Sequence, residues 1–394
     1  MTRVLIAGGG VAALEATLAL RALAEERVDV ELVAPEADFI YRPLAVAEPF
    51  RVGEVRRFPL RPLVEAAGAR LRQAFVTRVD PDRHVVVTED GDELEYDVLL
   101  LALGARPREA VPGALTFRGP EDGSALAALL EQALEGELRS IVFALPAGVT
   151  WPLPLYELAL LTGTYLTDRG AIGVELTLVT PEEAPLALFG AAASGAIREL
   201  LETRGIGLRT HATPQRLEAG VLRLTPEGEI ETARVVALAR LTGPRLDGIA
   251  CDANGFVPTD EHARVGSEVD VYAAGDLTQF PLKQGGIATQ QADAAAAAIA
   301  ARVGAAVEPT PFSPVLRGLL LTGMAPRYLR AEAGTARSAV DTEPLWWPPA
   351  KIVGRYLAPF LAERLGLSET PPPVVPEAVP VEVELDPRSG WSRT

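Results

Sequence analysis

Gly8, Gly10 and Ala13 stand at a Gly-x-Gly-x-x-Ala spacing, directly after the apolar run RVLIA and directly before the Ala/Leu-rich run ALEATLAL. That spacing suits a pyrophosphate. Gly8 permits a tight strand-to-helix turn, Gly10 lets backbone approach the phosphates, and Ala13 allows close packing of helix on strand. The helix start around Val11 and Ala12 then offers N–H groups and the positive end of a helix dipole. Other groups have side chains fit for proton or charge chemistry. VDVYAAGDL ends in Gly275-Asp276, Lys283 lies in PLKQGG just before an alanine-rich run, and Glu157 sits in the apolar run LYELALL.

These residues need strands and helices to hold them. VDVELVAPE reads as the strand that follows the first helix, and its end is where an acid would hold an adenosine ribose. The usual position is Ala34, so Glu36 is either the substitute or a surface acid. EYDVLLLALGARP is a further buried strand, ending in Ala102, Leu103 and Gly104.

The strand end LVAPE at 32–36 recurs as LVTPE at 178–182, and upstream of each lies a helix start with one acid in apolar surroundings, Glu15 and Glu157. Residues 140–182 therefore read as a second strand–helix–strand unit. Its loop is different. LPAGVTWPLPLY keeps a single glycine, Gly148, and carries three prolines and Trp151. Proline lacks an N–H donor, so this loop is expected to bind NAD(P)H weakly or not at all, although its helix start could still receive a phosphate.

Composition narrows the classes. The chain has 394 residues, 48% of them apolar, with a formal net charge of −16, which suits two or three globular domains and argues against a nucleic-acid partner. With Cys251 as the single cysteine, neither an internal disulfide nor a dithiol relay can form. His84, His211 and His262 show no ligand spacing, so no metal is expected. No signal peptide or long apolar run appears, and the expected location is cytoplasmic, with peripheral membrane contact as an option. Of 37 basic residues only Lys283 and Lys351 are lysine.

In motif and order the chain resembles the two-dinucleotide-binding-domain flavoproteins, the pyridine nucleotide:disulfide oxidoreductase superfamily. The resemblance is nearest to the sulfide:quinone oxidoreductase, flavocytochrome c sulfide dehydrogenase and type II NADH dehydrogenase groups. It rests on Gly8-x-Gly10-x-x-Ala13, the 95–107 strand end and Gly275-Asp276, and implies FAD as cofactor. In that family the position of Asp276 bonds the ribityl chain, and the helix start at Gly286, Ile287 and Ala288 faces the flavin. The resemblance further implies that Arg42, Pro43 and Leu44 of FIYRPL lie against the ring and that backbone near Val76 meets the adenine. Lys283 is then either a cation beside the ring or a solvated loop lysine. The sulfide enzymes carry a proline-rich loop with a redox cysteine where this chain has WPLPLYE, so Trp151 stands at or beside the cysteine position and a sulfide-type disulfide relay is not expected.

The fold class expected is α/β: two Rossmann-like, three-layer (FAD/NAD(P)-binding) domains plus a small carboxyl-terminal α+β domain. Residues 1–112 and 235–305 form the FAD domain, 113–234 the second domain, 306–367 the carboxyl-terminal domain, and 368–394 a proline-rich, acidic tail. Within 306–340 two strands are expected over the flavin face. The apolar stripe Ile352, Val353, Tyr356, Leu357, Phe360, Leu361, Leu365 is helically spaced and flanked by Trp346, Trp347 and Lys351, which suits a docked or dimer-forming helix, or one lying on a membrane.

The expected function is an FAD-dependent oxidoreductase passing electrons between an unidentified donor and a quinone or protein acceptor, with Lys283, Glu157 and Trp151 as catalytic candidates. An NAD(P)H-dependent flavin dehydrogenase and a non-catalytic flavin-binding sensor or assembly protein are the alternatives. Glu157 has a competing reading as a packing or hydrogen-bonding acid shared with Glu15.

Overall fold

The computed structural model describes residues 1–171, 173–332 and 337–365. The segment expected as a proline-rich tail lies outside them.

Two five-stranded parallel sheets carry the architecture. In the first, the strands run Val271–Ala273, Val98–Leu101, Thr2–Ala7, Val28–Val33 and Arg70–Arg72 across the sheet. In the second they run Leu115–Phe117, Arg234–Leu238, Ser140–Ala144, Glu175–Val179 and Ile206–Arg209. Near-continuous Val/Leu/Ile runs form these strands because both faces are covered. Each sheet has helices on one face and a three-stranded antiparallel ribbon on the other. The α/β class, with two three-layer units of ribbon, parallel sheet and helices, is thus present.

The internal repeat is structural. Ala7 pairs with Val33 at the end of the first unit, and Ala144 with Val179 at the end of the second. The helices Val11–Ala24 and Leu153–Asp168 follow, and Glu15 and Glu157 are each the fifth residue of their helix. The added length of the second loop falls entirely before the helix: the first helix starts 11 − 7 = 4 residues after its strand and the second 153 − 144 = 9 after its own. Pro152 is the residue before the second helix and Pro154 sits in its first turn, where a missing N–H costs nothing.

Helix Val11–Ala24 packs along helix Gly285–Arg302 through Ala12, Ala13, Ala16, Ala292, Ala295 and Ala296, all buried. Alanine faces let the two backbones come close, which puts both helix starts at the same edge of the first sheet.

The carboxyl-terminal region differs from expectation in two ways. Its sheet has three antiparallel strands, Val315–Leu320, Arg327–Glu332 and Ser338–Asp341, because the third begins only at the end of the 306–340 stretch. The apolar stripe is helical only over Leu357–Arg364. Gly354 lies within the earlier part of the stripe, and Pro348 and Pro349 stand just before it, while Pro359 is tolerated in the first turn. Residues 345–356 instead form a non-helical strap. No helix among the described residues is long and apolar enough to cross a membrane.

Candidate functional site

The cradle begins at Gly8, whose φ of +131° is closed to other residues and whose missing Cβ would lie 2.2 Å from the Ala102 carbonyl oxygen. Its N–H donates to the Val33 carbonyl at 2.8 Å, drawing three strand ends together. Gly10 is different: a Cβ there would meet nothing within 4 Å, so this residue faces open space. No side chain caps the Val11–Ala24 helix, which leaves the N–H groups of its first turn, around Val11, Ala12 and Ala13, for a ligand.

Gly275 closes the cradle from the other side, with a φ of +82° and no room for a side chain, since a Cβ there would press on Ala12 at 3.1 Å and touch Ala288. Asp276 follows, half-buried, with no hydrogen bond to its carboxylate among the described residues. Burial pushes its pKa up, and Lys283 opposes the shift. Leu103 and Gly104, both half-buried, lie one and two residues past the Gly8–Ala102 contact. Glu36 is exposed and has no ion pair among the described residues, so it is free to meet a ribose. Arg42 and Pro43 lie in the short 3₁₀ turn Arg42–Leu44, with the exposed Arg42 3.5 Å from Glu121. Val76 is buried at the start of the adjoining ribbon. An open glycine step, an uncapped helix start and an unpartnered carboxylate together fit a dinucleotide cofactor.

The helix start at Gly286 is less open than the sequence implies. The Gln284 side chain accepts from Ile287 N–H at 2.8 Å, and Ala288 N–H donates to the Gln284 carbonyl at 2.9 Å. Two of the three expected donors are therefore engaged inside the helix cap, and Gly286 is left as the donor nearest the open side.

Lys283 is not a solvated lysine. Its ammonium donates to the Thr278 carbonyl and sits 3.8 Å from the centre of the Phe256 ring. Burial brings its pKa down to about 8, with Asp276 and Asp252 pulling back. The site thus holds an acid and a cation, Asp276 and Lys283, in a partly dry setting.

Glu157 is fully buried and spoken for. Both its oxygens accept from the Lys351 ammonium, at 2.6 and 2.7 Å, and one accepts from Leu321 N–H at 2.8 Å. Burial pushes this carboxyl up, against the pull of Lys351. Glu15 does the equivalent task in the first unit, accepting from Tyr356 N–H at 2.9 Å and Leu357 N–H at 2.7 Å. Both repeat acids grip the strap. Tyr41 and Thr289 add to the grip: the Tyr41 hydroxyl accepts from Ile352 N–H, and Thr289 donates to the Val353 carbonyl. Lys351 is the residue that sequence reasoning missed, and its rarity among arginines was the available signal.

Asp293, on the Gly285–Arg302 helix, lies against Glu15, and burial and that neighbour together push its pKa up to about 8. Two buried carboxyls in contact cannot both ionise cheaply, so one holds a proton at neutral pH. Between about pH 4 and pH 8 the folded state keeps a proton that the unfolded chain has lost, and stability falls as pH rises through that window. Asp293→Asn is expected to flatten this slope, so that in urea titrations from pH 5 to pH 9 the variant gains on the parent and overtakes it at the alkaline end. Parallel curves would refute the shared proton.

Trp151 packs edge-on against Phe189, with ring centres 5.8 Å apart, and Phe189 in turn lies under Gly318 of the carboxyl-terminal sheet. Thr150 donates to the Pro281 carbonyl, fastening this loop to the segment that carries Lys283. In the second unit the acid matching Glu36 is Glu182. One of its oxygens accepts from both the Tyr156 hydroxyl at 2.7 Å and Thr180 at 2.9 Å, so that oxygen is engaged within the unit.

A family model described as pyridine nucleotide-disulphide oxidoreductase matches residues 2–142 and 157–299, leaving out the Trp151 loop. Sulfide-quinone reductase of Aquifex aeolicus is 30% identical over 212 residues, covering 50% of this chain and 47% of that protein. Demethylphylloquinone reductase NdbB of Synechocystis is 27% identical over 300 residues, covering 70% and 71%. The chain thus spans about half the length of the first of these relatives and more of the second. The X-ray structure of the Aquifex aeolicus sulfide:quinone oxidoreductase shares the fold, with a TM-score of 0.76 at 19% identity over 86% of this chain and 87% of that one.

Proposed function

The chain belongs to the pyridine nucleotide-disulphide oxidoreductase family, which binds FAD, and from that premise we propose that it exchanges electrons with a quinone without help from a cysteine pair. FAD, when bound, supplies the two-electron chemistry. The first-turn amides after Gly10 bind the pyrophosphate, Glu36 the ribose and Asp276 the ribityl chain. Arg42, Pro43, Val76, Leu103 and Gly104 complete the walls. Lys283 holds positive charge beside the ring, and Glu157 with Lys351 holds or moves a proton beneath the strap.

The observation that carries this reading is the closed second unit. Tyr156 occupies the acid an NAD(P)H ribose would need, and the proline-rich loop is tied down at Pro281. The names of two relatives, a sulfide-quinone reductase and a demethylphylloquinone reductase, favour a quinone on the face under the carboxyl-terminal sheet and strap. The domain division 1–112 with 235–305, 113–234 and 306–367 belongs to the same reading. So does peripheral membrane contact through the strap and its helix, where Trp347 and Leu365 are exposed.

Anaerobic mixing of the holoprotein tests it. A short-chain quinone should rapidly reoxidise photoreduced flavin, whereas NADH and NADPH should leave oxidised flavin unbleached. Rapid bleaching by NADH would refute the closed unit, and inertness to quinones would refute the acceptor.

A further inference from the structure

Two arginines have their pKa lowered by burial, and they are treated differently. Arg204 spends its guanidinium on three oxygens, bonding the Thr164 hydroxyl and the carbonyls of Leu200 and Thr322. Arg317, half-buried, makes no side-chain hydrogen bond and no ion pair among the described residues. It also stands directly opposite Arg330 in the antiparallel register of Val315–Leu320 with Arg327–Glu332. Like charges so placed oppose each other.

The surroundings give this pair a shape. Leu316, Gly318 and Leu320 turn inward onto the core, so Val315, Arg317 and Leu319 form the outer face. On the neighbouring strand that face continues with Tyr328, Arg330 and Glu332, and Trp346 of the strap packs on Tyr328 with ring centres 5.1 Å apart. Glu332 is the acid at hand, and Arg330 takes it at 2.7 Å with Arg337 beside it at 3.7 Å. Asp341 lies beside Tyr328 on the third strand, and Glu343 adds a further negative charge near the ring. Neither makes an ion pair with Arg317. One forked donor set, that of Arg317, is left half-buried and unpaired on a face that also carries Leu319.

We propose that Arg317, with Arg330 facing it on the outer face of the carboxyl-terminal sheet, binds the phosphate or carboxylate group of a small organic anion whose apolar body rests on Leu319. Guanidinium forks match such oxygens two at a time, and an anion between them turns the repulsion into a shared attraction. The site is separate from the dinucleotide cradle but adjoins it, because Gln284, which caps the Gly285–Arg302 helix, donates to the Arg317 carbonyl at 2.8 Å.

The test is calorimetric titration of the full-length holoprotein with phenyl phosphate and with inorganic phosphate at low ionic strength. Phenyl phosphate should bind saturably, and more tightly than inorganic phosphate. Arg317→Gln should weaken it by about tenfold or more, while Arg317→Lys, which keeps the charge and loses the fork, should fall between. Arg57→Gln, at an exposed strand arginine elsewhere, should change nothing. The anion site is overturned if neither compound binds saturably, or if Arg317→Gln and Arg317→Lys, both retaining flavin, bind as the parent does. Equal affinity for the two compounds would remove the apolar part of the proposal.

Discussion

Lys351→Ala is expected to cost about 3–5 kcal/mol of folding stability, among the largest losses available to one substitution in this chain. The reason is what remains. Glu157 has no exposed surface, and its carboxylate would keep only the Leu321 amide. The measurement is urea unfolding of the holoprotein, together with Glu157→Gln and the double variant Glu157→Gln/Lys351→Met. If the pair acts as a unit, the double variant recovers most of the loss, because removing both charges also removes the burial cost. Additive losses would show that Lys351 stabilises by packing alone. The same variants also bear on electron transfer. Were the pair to hold or move a proton for the quinone, the double variant would fold yet reoxidise more slowly.

Gly8→Ala should abolish flavin retention, and Gly10→Ala should weaken it while sparing the fold. At Gly8 a methyl group collides with the Ala102 carbonyl in a backbone region that costs a non-glycine residue about 1–3 kcal/mol on its own. The turn must then shift, taking the helix start with it. At Gly10 the backbone is ordinary, with φ −91°, and the methyl projects into open space, which the proposed pyrophosphate site would occupy. Flavin-to-protein absorbance ratios after purification and melting curves of the flavin-free proteins separate the two effects. A Gly8→Ala protein with the parent's flavin content would contradict the cradle.

Much of this site could be read along the chain. The glycine spacing, Gly275-Asp276 and the 32–36 and 178–182 repeat are local patterns, each set by one turn between a strand and its neighbour. The equal placement of Glu15 and Glu157 was legible for the same reason, and their common use as anchoring acids follows the packing alternative more closely than a free catalytic one. What could not be read was the other half of each contact. Glu157 meets a lysine 194 residues away, Tyr41 an amide 311 away and Glu15 an amide 341 away. No periodicity constrains pairs at such separations. The strap shows the opposite error: apolar residues at helical intervals from Ile352 to Leu365 suggested a helix throughout, but only Leu357–Arg364 is helical, and Gly354 lies in the part that is not.

The strap also sets an order of events during synthesis. The two parallel sheets and both glycine turns are complete once residue 302 has left the ribosome, yet Glu157 gains its lysine and Glu15 its two strap amides only when residues 351–357 emerge. In that interval two carboxyl groups destined for the interior stay wet, and the edge of the cradle stays uncovered.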